Sequence, residues 1–231
     1  MGRRSGYSRF LVLNLEQRLQ AVRDRIAAAS KAASRGQPTL VVVTKNHPVD
    51  LVRDLYDLGE RDFGENRDQE ASPKAMEFAP GQNDYRWHFI GQLQTNKVRS
   101  VLNYASFLHS LDRQSLLKEL AKREANLNVF IQMNLTDDPN RGGINPEDLV
   151  AFANQVMEVS SLELVGVMAV GGLDVEPERE FERVARASQI LQTVNPAAKQ
   201  ISAGMSGDFE QAIAYGATHL RIGSLITGNS H

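Results

Sequence analysis

Three groups of residues in this chain have the types and spacing to do chemistry. The first is a lysine at the end of a strand. Leu40, Val41, Val42 and Val43 are consecutive apolar β-formers between Pro38 and Pro48, which reads as a short parallel strand buried on both faces, and Lys45 stands where it gives way to a loop. The carboxyl ends of strands are where α/β folds bind ligands, so an amine there is placed like a functional group. Taken alone, an exposed loop position is the commoner fate of a lysine. The second group is a pair of small-residue loops, Ile201-Ser202-Ala203-Gly204-Met205-Ser206-Gly207-Asp208 and Arg221-Ile222-Gly223-Ser224. Small residues let backbone N–H groups approach an anion, hydroxyls add donors, and a helix opening after the first loop turns its positive end the same way. Either loop alone is an ordinary turn more often than a phosphate cradle. The third is Arg221, which shares a strand face with Gly223 because side chains alternate with period two. It binds either an acceptor on the same ligand or one of the chain's carboxylates.

The elements that must position these groups follow from periodicity. Leu15, Leu19, Val22, Ile26 and Ala29 recur at helical spacing from Asn14, ahead of the first strand, with residues 1–12 as a flexible extension. Leu51, Val52, Leu55 and Leu58 form the apolar face of a second helix closed by Gly59. Further strands are expected at 62–66, 87–91, 107–112, 129–135, 162–170, 200–203 and 219–222, each followed by a helical pattern except the last. Pro73, Pro80 and Gly81 mark a long connection, residues 137–143 a turn-rich mobile loop, Asn145 with Pro146 a helix start, and Asp208 with Gln211 a capping box. Strands alternating with helices at even intervals predict a TIM-type (β/α)8 barrel with an extra N-terminal helix, in one domain covering residues 1–231. No G-x-G-x-x-G follows the first strand, which argues against a dinucleotide-binding sheet.

Composition narrows the function classes. The formal net charge of −2 and the absence of charged blocks argue against nucleic acid and membrane surfaces as partners. With no cysteine there is no disulfide framework, thiol nucleophile or thiolate metal site. The opening Met1-Gly2-Arg3-Arg4-Ser5-Gly6 fails as an acylation signal because its sixth position holds glycine, and the expected location is the cytoplasm. A lysine on strand one, facing a phosphate site between strands seven and eight across the closure of a barrel, suits pyridoxal 5'-phosphate. That cofactor needs an amine for its aldehyde, a cradle for its phosphate and a partner for its ring nitrogen.

Several stretches of the chain resemble a known family. The stretches Val43-Thr44-Lys45, Phe63-Gly64-Glu65-Asn66, the run from His88 to Lys97 (HFIGQLQTNK), Ser110-Leu111-Asp112-Arg113, Gly204-Met205-Ser206 and Arg221-Ile222-Gly223-Ser224 are similar to those of the YggS/PROSC family of pyridoxal phosphate homeostasis proteins, related to the barrel domain of alanine racemase. The resemblance implies a fold-type III barrel with the cofactor held as a Schiff base on Lys45. It also implies that Arg221 faces the pyridine nitrogen, that Ser202, Ser206, Gly223 and Ser224 surround the phosphate, and that Asn66 and Met205 lie at the cofactor. His88, Gln94, Asn96 and Lys97 match the signature without an assigned contact, and His88 alone reads as a satisfied core histidine. The family commonly has Ser-Met-Gly-Met-Ser where this chain has Ser202 to Ser206, and Ile-Gly-Thr-x-Ile-Phe-Gly where it has Ile222 to Gly228, differences that bear on packing around the ring.

Two functions follow from different classes. The expected one is a non-catalytic carrier or buffer of pyridoxal phosphate, monomeric, whose partners include apo enzymes that use the cofactor. An arginine can only donate to the ring nitrogen, which weakens the ring as an electron sink, and the chain ends shortly after strand eight, where racemases continue into a second domain that brings an opposing base. The alternative is a small racemase-like enzyme acting on amino acids, with a sugar-phosphate barrel as a third reading.

Overall fold

The computed structural model describes residues 6–78, 81, 84–124, 126–135, 142–170 and 177–228, with the side chains of α1 described from Asn14. Eight parallel strands close into one barrel in sequential order: β1 (Thr39–Val43), β2 (Asp62–Glu65), β3 (Arg86–Phe89), β4 (Ala105–Leu111), β5 (Leu127–Gln132), β6 (Leu162–Met168), β7 (Gln200–Ser202) and β8 (His219–Ile222), with β8 pairing back to β1. The helices are α1 (Gly6–Ala32), α2 (Val49–Asp57), α3 (Asp68–Glu77), α4 (Val98–Val101), α5 (Gln114–Ala121), α6 (Leu149–Met157), α7 (Pro177–Val194), α8 (Phe209–Ala214) and α9 (Ser224–Thr227). The expected barrel is therefore present, with an extra helix in front.

Three local expectations are corrected. α1 opens at Gly6, earlier than Asn14, and takes in part of the stretch read as an extension. Pro73 lies inside α3 and does not mark a connection, because buried Ala71 and Lys74 on either side anchor the helix past the lost N–H. Asp208 stands at the N-cap of α8, but no capping box forms with Gln211; its carboxylate turns back to accept the Met205 N–H at 2.6 Å. Residues 136–141, most of the loop expected to be mobile, lie outside the described residues.

The strands alternate between two environments. Outward residues such as Val42, Phe63, Trp87, Leu108, Val129, Ile131, Ile201 and Leu220 join the apolar faces of the helices in one cluster. Each such buried side chain contributes roughly 1.5–3 kcal/mol, so this shell carries most of the stability. TIM-type interiors are usually layered with branched apolar residues. Here a small apolar cluster of Phe130, Val165 and Met168, with Phe107 against it, shares the interior with His88, His109, Ser202, His219 and Arg221, all buried.

α1 braces the end of the chain that forms the loops of interest. It packs against α8 and α9. Arg18 Nε donates to the Ile226 carbonyl in α9 at 2.7 Å, and Arg25 pairs with Glu210 while lying 4.6 Å from the Phe209 ring centre in α8. Among the described residues no helix is long and apolar enough to cross a membrane, and no cluster of His, Asp or Glu could hold a metal ion.

Candidate functional site

The site lies at the seam where the barrel closes. Val41 of β1 is in register with Arg221 of β8, so Arg221 projects into the interior four residues before the level of Lys45. Gly223 sits beside Val43: a Cβ there would be 3.3 Å from the valine Cβ. The backbone before Lys45 is clamped from β2 and α3. Thr44 N donates to the Gly64 carbonyl at 3.0 Å, Thr44 Oγ1 donates to Glu65 Oε1 at 2.6 Å, and buried Lys74 Nζ donates to the Thr44 carbonyl at 2.9 Å and to Glu65 Oε1 at 2.5 Å. After Lys45, Asn46 adopts a left-handed φ of 62° and donates its N–H to Glu70. Lys45 itself is exposed, and its amine has no hydrogen bond or ion pair among the described residues. A fixed backbone thus presents an uncommitted amine, whereas Lys74 is locked in an ion pair.

The two small-residue loops meet as their spacing suggested. Ser224 Oγ donates to Ser206 Oγ at 3.2 Å, both residues at the surface. Gly204, at φ 90°, lets the first loop fold onto α8, where a Cβ would come within 2.7 Å of Ala212 Cβ. Met205 is a third exposed, an apolar side chain at the rim. Ser202 departs from its expected place. It is fully buried, and its hydroxyl binds both His109 Nδ1 at 2.7 Å and Arg221 at 2.5 Å, so it lies beneath the Ser206–Ser224 pair and not beside it. The departures from the family pattern are also clarified. Ala203 belongs to the outer core and faces away from the interior, while Thr227 turns its hydroxyl to the Gly223 carbonyl at 3.3 Å.

Arg221 is buried and donates to Ser202 Oγ and, at 2.8 Å, to the Ala169 carbonyl. Among the described residues it has no carboxylate partner, which removes the salt-bridge reading there. Burial lowers its pKa to about 10, so the guanidinium remains a cation at neutral pH. The imidazoles beneath it are neutral. Burial pushes His88 and His109 down from the ordinary histidine value, and takes His219 down to about 3.

The signature run also finds its places. His88 is a satisfied core histidine, stacked on Phe107 with ring centres 4.5 Å apart and hydrogen-bonded at both nitrogens, to Asp62 at 2.8 Å and His109 at 2.9 Å. Gly91 lies so close to the end of β2 that a Cβ would stand 2.1 Å from the Asn66 carbonyl. Asn66 Oδ1 is buried without a partner among the described residues. Gln92, Gln94 and Lys97 line a small polar cavity with Asn66 and Arg67, and Lys97 Nζ lies 3.8 Å from Asp68. The roles of Asp62 and His109 escaped the sequence because their partners lie on other strands.

Known proteins resemble this chain in sequence and fold. The alanine racemase N-terminal domain model matches residues 17–231. A pyridoxal phosphate homeostasis protein of Mycobacterium leprae is 39% identical over 92% of this chain and 91% of its own length, and one of Escherichia coli is 38% identical over 93% and 96%. The structure of PipY of Synechococcus elongatus with PLP bound superposes with a TM-score of 0.80 at 30% identity, covering 93% of this chain and all of that one. On this evidence the chain belongs to the pyridoxal phosphate homeostasis protein family, built on the alanine racemase N-terminal domain.

Proposed function

We propose that this protein binds pyridoxal 5'-phosphate covalently through Lys45 and serves as a non-catalytic carrier or buffer of the cofactor. The observation that carries the reading is Arg221, a buried cation with no carboxylate partner among the described residues, at the seam below an uncommitted lysine. Such a group suits an acceptor on a ligand. The unpartnered Asn66 oxygen and the facing hydroxyls of Ser206 and Ser224 fit the same guest, one beside its ring and the others at its phosphate. When bound, the cofactor supplies an aldehyde for amines and a ring that withdraws electrons. Arg221, still protonated at neutral pH, can only donate, and so favours an unprotonated ring nitrogen and a weak electron sink.

A placed base is the other requirement for chemistry on an amino acid. Both nitrogens of His88 and of His109 are engaged, Tyr104 donates to Asp68, and Tyr56 donates to Asp84. His47, two residues past Lys45, is the specific observation behind a racemase-like reading: burial first, then Lys74 and Arg18, lower its pKa, so it is a neutral base at pH 7. α-Proton exchange in deuterated water separates the two. The carrier predicts exchange with alanine or serine no faster than free cofactor on a model amine, together with restored activity when the loaded protein is mixed with an apo enzyme that needs it. Exchange on the order of 1 per second, abolished by His47→Gln, would replace the carrier with an enzyme. The carrier is further proposed to be a cytoplasmic monomer.

A further inference from the structure

The interior holds a connected polar path that the function so far does not use. Arg86 clamps both oxygens of Asp62 at 2.7 Å where β2 and β3 begin. Asp62 Oδ1 meets His88 Nε2 at 2.8 Å, His88 Nδ1 meets His109 Nε2 at 2.9 Å, His109 Nδ1 meets Ser202 Oγ at 2.7 Å, and Ser202 Oγ meets Arg221 at 2.5 Å. Five strands contribute, β2, β3, β4, β7 and β8, and the path runs from the amino end of the barrel to the candidate site.

The chemistry of the groups orders the protons. Arg221 has no acceptor, so it donates to Ser202. The serine hydroxyl keeps one proton, and His109 Nδ1 accepts it. A neutral His109 then carries its proton on Nε2 and gives it to His88 Nδ1, and a neutral His88 carries its own on Nε2 and gives it to the Asp62 carboxylate. The opposite order would set a bare imidazole nitrogen against that carboxylate, or require an extra proton in a buried site. One arrangement therefore satisfies every donor and acceptor, with each bond polarising the next toward the negative end.

We propose that Asp62, acting through His88, His109 and Ser202, is the remote anchor that orients Arg221 toward the ring nitrogen of the cofactor. The four are positioning residues. The last link rests on the reading of the site as a pyridoxal phosphate pocket; the path below it does not. The path fixes the orientation of Arg221 and not its charge balance: Arg86 already pairs both oxygens of Asp62, and the carboxylate whose charge favours the Arg221 cation is Asp208. The inference also explains why Ser202 is a serine although it lies beneath the Ser206–Ser224 pair.

The test begins on the parent protein without cofactor. Long-range nitrogen–proton NMR on labelled histidine should show His88 and His109 as neutral rings protonated on Nε2. His109 protonated on Nδ1 would overturn the proposal, whatever binds above. The protein loaded with ring-labelled cofactor then reads the far end. Ser202→Ala should move the pyridine nitrogen resonance and weaken binding about tenfold, the effect of losing one hydrogen bond to a charged group. Asp62→Asn should move the same resonance in the same direction, with melting temperature as the control for folding. An unmoved resonance in a folded Ser202→Ala protein would also overturn the proposal. The expected tautomers in a protein whose Lys45 takes no aldehyde would support the path and overturn the reading of the site instead.

Discussion

The hydroxyls of Ser206 and Ser224 meet at 3.2 Å, joining the loop after β7 to the loop after β8 at the barrel mouth. Residues 203–208 and 223–228 hold no basic side chain, so what these two loops offer an anion is hydroxyls and backbone N–H groups. Replacing either serine with alanine should cost about 1.5–3 kcal/mol, roughly ten- to a hundredfold in affinity for pyridoxal phosphate. Pyridoxal, without the phosphate, should bind weakly and equally to parent and variants. A fluorescence titration decides it; undiminished affinity in both variants would move the phosphate elsewhere.

Gly91 ties the signature run to the site. Its missing side chain lets β3 end against the Asn66 carbonyl, where a Cβ would stand at 2.1 Å. Gly91→Ala must push Asn66 away, with a cost of about 2–3 kcal/mol to folding and a further loss of cofactor affinity. Urea unfolding of the apo protein, set beside a binding titration, reads both effects. A variant as stable as the parent would show that the two strand ends are free to separate.

The buried imidazoles make stability depend on pH. His88, His109 and His219 are held neutral by burial, so the unfolded chain binds protons that the folded one refuses. The stability they allow is fully present above the ordinary histidine pKa and falls as pH drops below it, for His219 down to about 3. Each such ring steepens the loss by up to about 1.4 kcal/mol per pH unit. Burial pushes the Asp62 carboxyl up, but hydrogen bonds from His88 and Arg86 outweigh it and leave its pKa below the ordinary value, which adds a loss at lower pH still. Urea midpoints between pH 7 and pH 4 should therefore fall steeply in the parent and less steeply in His219→Phe. A flat profile would contradict neutral buried rings.

Much of this was legible in the chain itself. Period-two alternation put Arg221 and Gly223 on one face, and the apolar run ending in Thr44 put Lys45 at a strand end, because both are local properties of the backbone. Depth along the barrel axis is not local. Ser202 looked like a cradle residue from its place in a Ser-Gly loop, yet the register of β7 against β6 and β8 draws it into the interior. Asp62 and His109 carried no signal, since each acquires meaning from partners 26 and 93 residues away. Pro73 reads as a breaker in the sequence because the burial of Ala71 and Lys74, which holds the helix together around it, depends on distant packing.

Whether Lys45 carries the cofactor is decided by reduction followed by peptide mapping. The purified protein, incubated with pyridoxal phosphate, should turn yellow, and borohydride should fix a pyridoxyl group that peptide mass spectrometry finds on Lys45, with none after Lys45→Ala. The same adduct found chiefly on Lys97 or Lys74, or no adduct at all, would contradict the account and revive the sugar-phosphate barrel.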